Sequence, residues 1–278
     1  MSQEADQEPI SRKHVVYEVP GMDDVTIRLD LEYHKTDAGI QTMDLYYPED
    51  AKRGGRIPAV IFVSGYPDTG TKKILGCKLK ELGSYISWAH LAATSGIVAI
   101  TYSAIEPVGD FQLLVQFIRQ NAAELGIDET RICLWACSGN VPNALSVLMH
   151  EDSEHLKCAV LLYGLMLDLD GSTSVAKAAQ MFGFANPTAG KSVDDLPVEL
   201  PLFIARAGQD SPELNETIDR FLAKTVSRNL PVTFVNHHSA PHFFDVMHDS
   251  QATREIIRQI LDFMRFHLLG QAIQHESS

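Results

Sequence analysis

The 278-residue sequence has little positive charge and no long apolar run. Its 23 Lys and Arg residues against 36 Asp and Glu residues give a net charge of −13. This charge argues against a nucleic-acid or anionic-membrane partner, because both would repel the chain. No segment has the apolar length that a membrane span requires, and the N-terminus lacks the apolar core of a signal peptide. We therefore expect a cytoplasmic protein.

Paired cysteines are also missing. The four cysteines include no CxxC pair and no Cys/His spacing typical of a metal site. Cys133 and Cys158 lie in apolar, strand-like runs, so we interpret them as small buried hydrophobic residues. Repeats, low-complexity tracts and linker-like stretches are absent as well. The sequence therefore predicts a single domain over residues 1–278, with residues 1–14 as a polar, mobile leader.

Short apolar runs alternate with helical patterns along most of the chain. This alternation predicts βαβ units, hence an α/β fold with a mostly parallel sheet and helices on both faces. The first two strands are separated only by a turn and should form an antiparallel hairpin. Strands are predicted at about eight places, residues 25–33, 41–47, 59–63, 97–102, 132–136, 159–163, 202–207 and 232–236. Helices are predicted at residues 79–93, 111–125, from 141 onward, 174–182, 212–227 and 251–269.

One interval, residues 164–201, is too long for an ordinary connection in such a fold. It holds Asp168, Asp170 and the predicted helix 174–182. Insertions of this kind commonly cover a binding site, so we predict a small lid. A surface excursion without a role in binding is the alternative.

The stretch 131–149, RICLWACSGNVPNALSVLM, has the pattern of a strand, a tight turn and a helix, with Ser138 at the apex. Such a turn exposes a serine hydroxyl at the carboxyl edge of a sheet, where it can act as a nucleophile. The residues two before and two after the serine have to be small. They are Ala136 and Asn140, of which Asn140 fits less well. A serine before a helix can equally be an N-cap, which Pro142 in the first turn also suits.

A nucleophilic serine needs a base, and sites in parallel sheets form where strands end. Four histidines follow the last predicted strand: His237, His238, His242 and His248. The first two directly continue the strand, whereas His242 lies in a loop with room to reach across the site. We therefore predict His242 as the base, with structural roles as the alternative for the others.

The base in turn needs a carboxylate to hold its tautomer. Asp210 stands at the end of the next-to-last predicted strand and directly before a helix, so it could orient the histidine or merely cap that helix. Asp168 and Asp170, which follow the preceding strand, are the alternatives. The order Ser138, Asp210, His242 is a serine, acid, histidine order known for triads on such sheets.

The tetrahedral intermediate of an acyl transfer needs two N–H donors for its oxyanion. One should be the backbone N–H of Gly139, directly after the nucleophile. The other is expected in the loop after strand 59–63, which reads Ser-Gly-Tyr-Pro from residue 64. Proline has no N–H, so Tyr66 is the predicted donor. Gly65 would allow the backbone to approach closely.

At this point the chain resembles the α/β-hydrolase superfamily, and within it the dienelactone-hydrolase-related proteins and small esterases or acyl-peptidase-like enzymes. The resemblance extends from about Val25 to Leu269. It is carried by three motifs, WACSGN (135–140), ARAGQD (205–210) and PHFFD (241–245). It implies hydrolysis through a covalent acyl-enzyme, without metal or organic cofactor, and the roles of nucleophile, acid and base for the three residues ordered above.

The sequence departs from the family pattern at four positions, Ser64, Ala136, Asn140 and Phe244. Dienelactone hydrolases themselves use cysteine as the nucleophile. Here Cys137 stands one residue before the serine, so its side chain should point away from it. These departures argue against a dienelactone substrate while they leave the predicted fold unchanged.

The leading hypothesis is a serine hydrolase of the carboxylesterase type (the EC 3.1.1 class) that acts on a small-molecule ester with a small or medium acyl group. Two alternatives remain. The chain could be a non-catalytic module that binds or senses a ligand on the same scaffold, or an acyltransferase that passes the acyl group to an acceptor other than water. The sequence indicates no oligomeric state.

Overall fold

The computed structural model describes residues 8–37, 39–53, 55–150 and 153–270, and eight strands of this part form one sheet. The strands are Thr26–Thr36 (β1), Gly39–Tyr47 (β2), Ile57–Phe62 (β3), Val98–Tyr102 (β4), Ile127–Cys137 (β5), Leu156–Leu162 (β6), Leu202–Ala207 (β7) and Val232–His237 (β8). Their order across the sheet is β1-β2-β4-β3-β5-β6-β7-β8. β2 is antiparallel to both β1 and β4, and all pairs from β4 to β8 are parallel. The predicted hairpin and mostly parallel sheet are therefore confirmed.

Helices cover both faces of the sheet, as predicted. Those of the described residues are Asp68–Leu75 (α1), Gly83–Thr94 (α2), Pro107–Gln120 (α3), Ala122–Leu125 (α4), Val141–Leu148 (α5), Ser174–Phe182 (α6), Pro212–Ser227 (α7), Phe244–Met247 (α8) and Gln251–Leu269 (α9). Within the described ranges, no helix combines the length and apolar character needed to cross a membrane.

The hydrophobic core has two layers, one on each face of the sheet. Successive side chains of a strand point to opposite faces, so in β3 Ala59 and Ile61 enter one layer while Val60 and Phe62 enter the other. Apolar residues of α3, α5 and α7 complete the first layer, and those of α2 and α9 complete the second. The continuous apolar run of β3 is thus explained by burial on both sides.

The best predicted helices are those with strong local end signals. The side chain of Ser211 accepts a hydrogen bond from the Leu214 N–H at the start of α7, and Ser250 does the same with Thr253 at the start of α9. α9 ends at Gly270, whose φ of 66° suits glycine. Both helices have the bounds that the sequence predicts.

The helix predicted at residues 79–93 is divided in the structure. A short 3-10 turn, Leu79–Glu81, is followed by extended backbone at Leu82 before α2 begins. The Gly83 N–H donates to the carbonyl oxygen of Ser11, and a methyl group on Gly83 would stand 2.7 Å from the Arg12 carbonyl oxygen. The N-terminal segment therefore takes the Gly83 N–H that a continuous helix would bond to the Leu79 carbonyl.

The leader predicted over residues 1–14 is only partly covered by the structure, since residues 1–7 lie outside the described residues. From Ser11 onward the chain contacts the rest of the fold. The Val15 N–H donates to Ser87 Oγ at 2.9 Å, and the Val16 N–H donates to the Asp245 carbonyl oxygen at 2.8 Å. The chain next to the leader thus contacts α2 and α8, while the mobility of residues 1–14 stays a prediction.

Candidate active site

Ser138 lies at a sharp turn between β5 and α5. Its φ of 54° is left-handed, a conformation that costs a non-glycine residue about 1–2 kcal/mol. The residues Ser138–Asn140 form a 3-10 turn, and α5 begins directly afterwards. No side-chain cap bond is made at either helix start, and the Ser138 hydroxyl faces His242 instead. The geometry is therefore that of a strained elbow and differs from an N-cap.

The His242 imidazole lies between Ser138 and Asp210. Its Nε2 is 2.9 Å from Ser138 Oγ, and its Nδ1 is 2.5 Å from Asp210 Oδ2. Because a carboxylate only accepts, Nδ1 carries the proton, and Nε2 is left free to accept the serine proton. The rings of Tyr163 and Phe243 contact the imidazole edge-to-face, with centroids 4.9 and 4.5 Å away.

The other three histidines of this region do not reach Ser138. His237 is buried at the end of β8, and its Nε2 is 3.0 Å from Thr253 Oγ1. His238 is exposed. His248 packs edge-to-face against His237, with ring centroids 5.2 Å apart. The structure thus places His242, the histidine predicted as the base, next to Ser138.

Asp210 is the carboxylate that the structure places against the histidine. Two backbone bonds join the loop after β7 to the loop after β8: the Gly208 N–H donates to the His237 carbonyl oxygen, and the Gln209 N–H donates to that of Ala240. The cap of α7 is supplied by Ser211, so Asp210 is not needed for it.

The alternative acids lie elsewhere. Asp168 accepts from the N–H groups of Val175 and Ala176 at 2.8 and 2.9 Å, which fixes the start of α6. Asp170 forms an ion pair with Lys224 at 3.0 Å. Both carboxylates therefore support the 164–201 insertion.

The two predicted oxyanion donors flank Ser138. Gly139 follows it directly, and the loop that carries Tyr66 packs on the turn so closely that a methyl group on Gly65 would stand 2.6 Å from the Gly139 carbonyl oxygen. Among the described residues, no loop acceptor takes the Tyr66 N–H. This N–H is thus open to a ligand oxygen.

Asn140 fits the small-residue pattern of the turn less well than Ala136, but its side chain makes specific contacts in the structure. Its side chain is buried, with 3 % exposure. Its Oδ1 accepts the Gly65 N–H at 2.7 Å, and its Nδ2 donates to the Tyr85 hydroxyl at 3.0 Å. The side chain therefore connects the turn to the loop of Tyr66, and it fits without opening the elbow.

A buried carboxylate beneath the histidine was missed from the sequence. Asp245 is 1 % exposed, accepts from the Tyr163 hydroxyl and from Trp88 Nε1 at 2.7 Å each, and has its pKa raised by burial. Tyr163 in turn packs on His242. In the sequence, this carboxylate is the final residue of the PHFFD motif. An aspartate is rarely fully buried unless it is paired, and Asp245 is paired with Tyr163 and Trp88.

Cys137 points into the protein, as expected. Its Sγ is 3.6 Å from the Tyr85 hydroxyl, and burial raises the pKa of the thiol to about 12. A thiolate is the nucleophilic form of cysteine, so this side chain stays an unreactive thiol near neutral pH. No group of three or more His, Cys, Asp or Glu side chains suited to a metal ion occurs in the described part of the chain.

A cavity of about 470 Å³ opens above Ser138. Its walls are mainly apolar and include Ile74 and Leu75 from α1, Phe182 at the end of α6, and Phe184. α1 was not among the helices predicted from the sequence. Part of the cavity wall thus comes from a short helix outside the 164–201 insertion.

The chain is similar to known proteins in its three-dimensional structure. No family model and no curated protein matches the sequence. An esterase from the planctomycete Thermogutta terrifontis superposes with a TM-score of 0.65 at 18% identity, covering 92% of this chain and 97% of its own. A carboxylesterase cloned from a metagenomic library gives 0.65 at 17% identity, covering 87% and 89%.

An esterase from Pyrobaculum calidifontis gives a TM-score of 0.62 at 20% identity, covering 87% of this chain and 84% of its own. At such low sequence identity, the structural similarity establishes only the fold. Function has to be argued from the site. The sheet order, the antiparallel first pair and these similarities together identify the chain as a protein of the α/β-hydrolase fold.

Proposed function

We propose that the chain is a serine hydrolase that cleaves a carboxylic ester through a covalent acyl-enzyme. The observation that carries the proposal is the continuous set of contacts from Ser138 Oγ through His242 to Asp210, at 2.9 and 2.5 Å. Support also comes from the structural neighbours, which are named as esterases. One of them, esterase 2 of Thermogutta terrifontis, is described as phosphoramylated by tabun.

The proposed reaction begins with attack of Ser138 Oγ on the acyl carbonyl carbon while His242 Nε2 takes the hydroxyl proton. Asp210 stabilises the imidazolium that forms. The N–H groups of Tyr66 and Gly139 hold the oxyanion of the tetrahedral intermediate. Its collapse breaks the ester C–O bond, and His242 returns the proton to the leaving alcohol. Water then repeats the sequence on the acyl-enzyme and releases the carboxylic acid.

The cavity supports an uncharged, apolar substrate. Among the described residues that line it, Asp210 and His242 supply the only acidic and basic side chains, and both face each other. The net charge of −13 also disfavours an anionic substrate. We therefore propose an ester with a small or medium apolar acyl group. A cytoplasmic location and membership of the dienelactone-hydrolase-related branch remain predictions from the sequence.

The test is hydrolysis of short p-nitrophenyl esters by the purified chain and by its Ser138→Ala variant. The substitution should lower kcat by about 10⁵-fold or more, as removal of a triad nucleophile does elsewhere. A well-folded wild type that binds such esters with no turnover would instead support a binding module. Faster release of p-nitrophenol with added alcohol, together with transesterified product, would favour acyl transfer.

A further inference from the structure

Two asparagines hold both polar ends of a single peptide group next to the proposed oxyanion site. The group joins Ser64 to Gly65. Its N–H, on Gly65, donates to Asn140 Oδ1 at 2.7 Å, and its carbonyl, on Ser64, accepts from Asn143 Nδ2 at 2.8 Å. Both asparagines belong to the turn and helix that follow the nucleophile. The peptide plane is therefore fixed relative to Ser138.

The next peptide group carries the Tyr66 N–H. Its carbonyl, on Gly65, accepts the Ala185 N–H at 2.7 Å. Because the C=O and N–H of a trans peptide point in opposite directions, this bond turns the Tyr66 N–H away from Ala185. Ser64 Oγ donates to the Tyr66 carbonyl at 2.9 Å and closes the loop on its other side. The direction of the proposed oxyanion donor thus depends on contacts made by its neighbours.

The two amides are oriented and shielded from water. Asn140 is 3 % exposed and Asn143 is 0 % exposed. The Asn140 Nδ2 donates to the Tyr85 hydroxyl, and the Asn143 Nδ2 also donates to the Pro107 carbonyl at 3.1 Å. These second contacts leave each amide one favourable orientation. Asn140 therefore serves as an acceptor towards the loop, whereas Asn143 serves as a donor.

We propose that Asn140 and Asn143 are positioning residues that aim the Tyr66 N–H at the oxyanion, in place of the glycine that commonly follows the nucleophile by two residues. The inference rests on the proposed function. Removing one oxyanion donor outright costs an enzyme about 10²–10³-fold in kcat. Loss of its support should cost less, about 10-fold to 100-fold.

The experiment compares leucine and aspartate at each position, with kcat expressed per titrated active site. Asn140→Leu removes the acceptor and should lower kcat about 10-fold to 100-fold with little change in KM. Asn140→Asp retains an oxygen that can accept the Gly65 N–H, so it should keep a higher kcat than Asn140→Leu. At position 143 a donor is required, so Asn143→Asp should lose at least as much as Asn143→Leu.

Asn121→Leu is the matched control, because the Asn121 amide also donates to a backbone carbonyl, that of Phe117, but at the end of α3 away from the site. It should lower Tm and leave kcat unchanged. The rate of fluorophosphonate labelling should follow kcat in all variants, since the tetrahedral adduct uses the same N–H groups.

Three results would overturn the inference while the proposed function stands: a folded Asn140→Leu variant with wild-type kcat, a loss no larger than that of Asn121→Leu, or equal kcat for Asn140→Asp and Asn140→Leu. A folded wild type without hydrolysis and without labelling would contradict the proposed function itself, and the inference with it.

Discussion

The floor and the cover of the cavity are built differently. We define the floor as the loops after β3, β5, β7 and β8, which carry Ser138, Asp210, His242 and the proposed oxyanion donors. Its polar groups are held by buried partners, such as Asn140 and Asn143. The cover consists of α1 and α6, two short helices with apolar side chains in solvent.

Three residues of the cover illustrate the contrast, since Ile74 is 54 % exposed, Phe182 is 52 % exposed and Met181 is 75 % exposed. Hydrogen bonds fix the start of each cover helix. The Asp68 N–H donates to the Ala104 carbonyl at the start of α1, and the Asp168 carboxylate holds the start of α6. A preorganised floor suits the chemical step, while weakly packed walls suit adaptation to the substrate.

Substitution of Asp210 should therefore have a large effect on the chemical step. Asp210→Asn should lower kcat about 10⁴-fold, because an amide in this position favours the wrong imidazole tautomer. KM should change little. The matched control is Asp168→Asn, which alters a carboxylate of the insertion and should retain kcat within a few-fold. Equal losses for the two variants would contradict the distinction between floor and cover.

Truncation of the cover should change substrate preference by a smaller factor. Phe182→Ala and Ile74→Ala each remove part of an apolar wall, which should cost about 1 kcal/mol, or about 5-fold in kcat/KM, for the longest accepted acyl chain. Acetyl esters should be little affected. A panel of p-nitrophenyl esters of increasing chain length measures this, with Val226→Ala on the exposed end of α7 as control. A uniform fall of kcat for every ester would indicate that the cover takes part in the chemical step.

The smallest effect concerns stability at the edge of the floor. Burial lowers the pKa of His237 from 6.5, so the folded chain binds this proton less readily than the unfolded chain. The contribution of a neutral His237 to stability is full above pH 6.5 and is lost as the pH falls below it.

Urea unfolding at pH 7.5 and pH 5.5 should therefore show a larger loss of stability for the wild type than for His237→Asn. The exposed His14 provides the control, because it is not among the groups that lower the pKa of His237 and His14→Asn should leave the difference between the two pH values unchanged. An identical pH dependence in wild type and His237→Asn would contradict the assignment of His237 to the structural part of the floor.

Much of the fold could be predicted because its signals are local. Caps at Ser211 and Ser250 define α7 and α9, and apolar runs define the central strands. The division of helix 79–93 could not be predicted, since it depends on a contact of Gly83 with Ser11, 72 positions earlier in the sequence. α1 has only eight residues and few apolar ones, so its pattern resembled a loop.

The order of the candidate site residues along the chain could be predicted from the sequence. The contacts that hold these residues in place could be predicted less well. Ser138, Asp210 and His242 each follow a strand, and parallel strands bring their carboxyl ends to one edge. The catalytic roles stay predictions until they are tested. The local pattern favours glycine at position 140, whereas the partner of Asn140, the Gly65 N–H, is distant in sequence. The sequence suggested a lid only at residues 164–201, and that role stays a prediction.

Labelling with a fluorophosphonate, followed by mass spectrometry of the digested chain, tests directly whether Ser138 is the nucleophile. Wild type should carry one adduct, on Ser138, and lose ester hydrolysis in proportion to labelling, while folded Ser138→Ala should carry none. An adduct on another residue would contradict the role of Ser138 as the nucleophile. A folded Ser138→Ala variant with wild-type hydrolysis would contradict it as well.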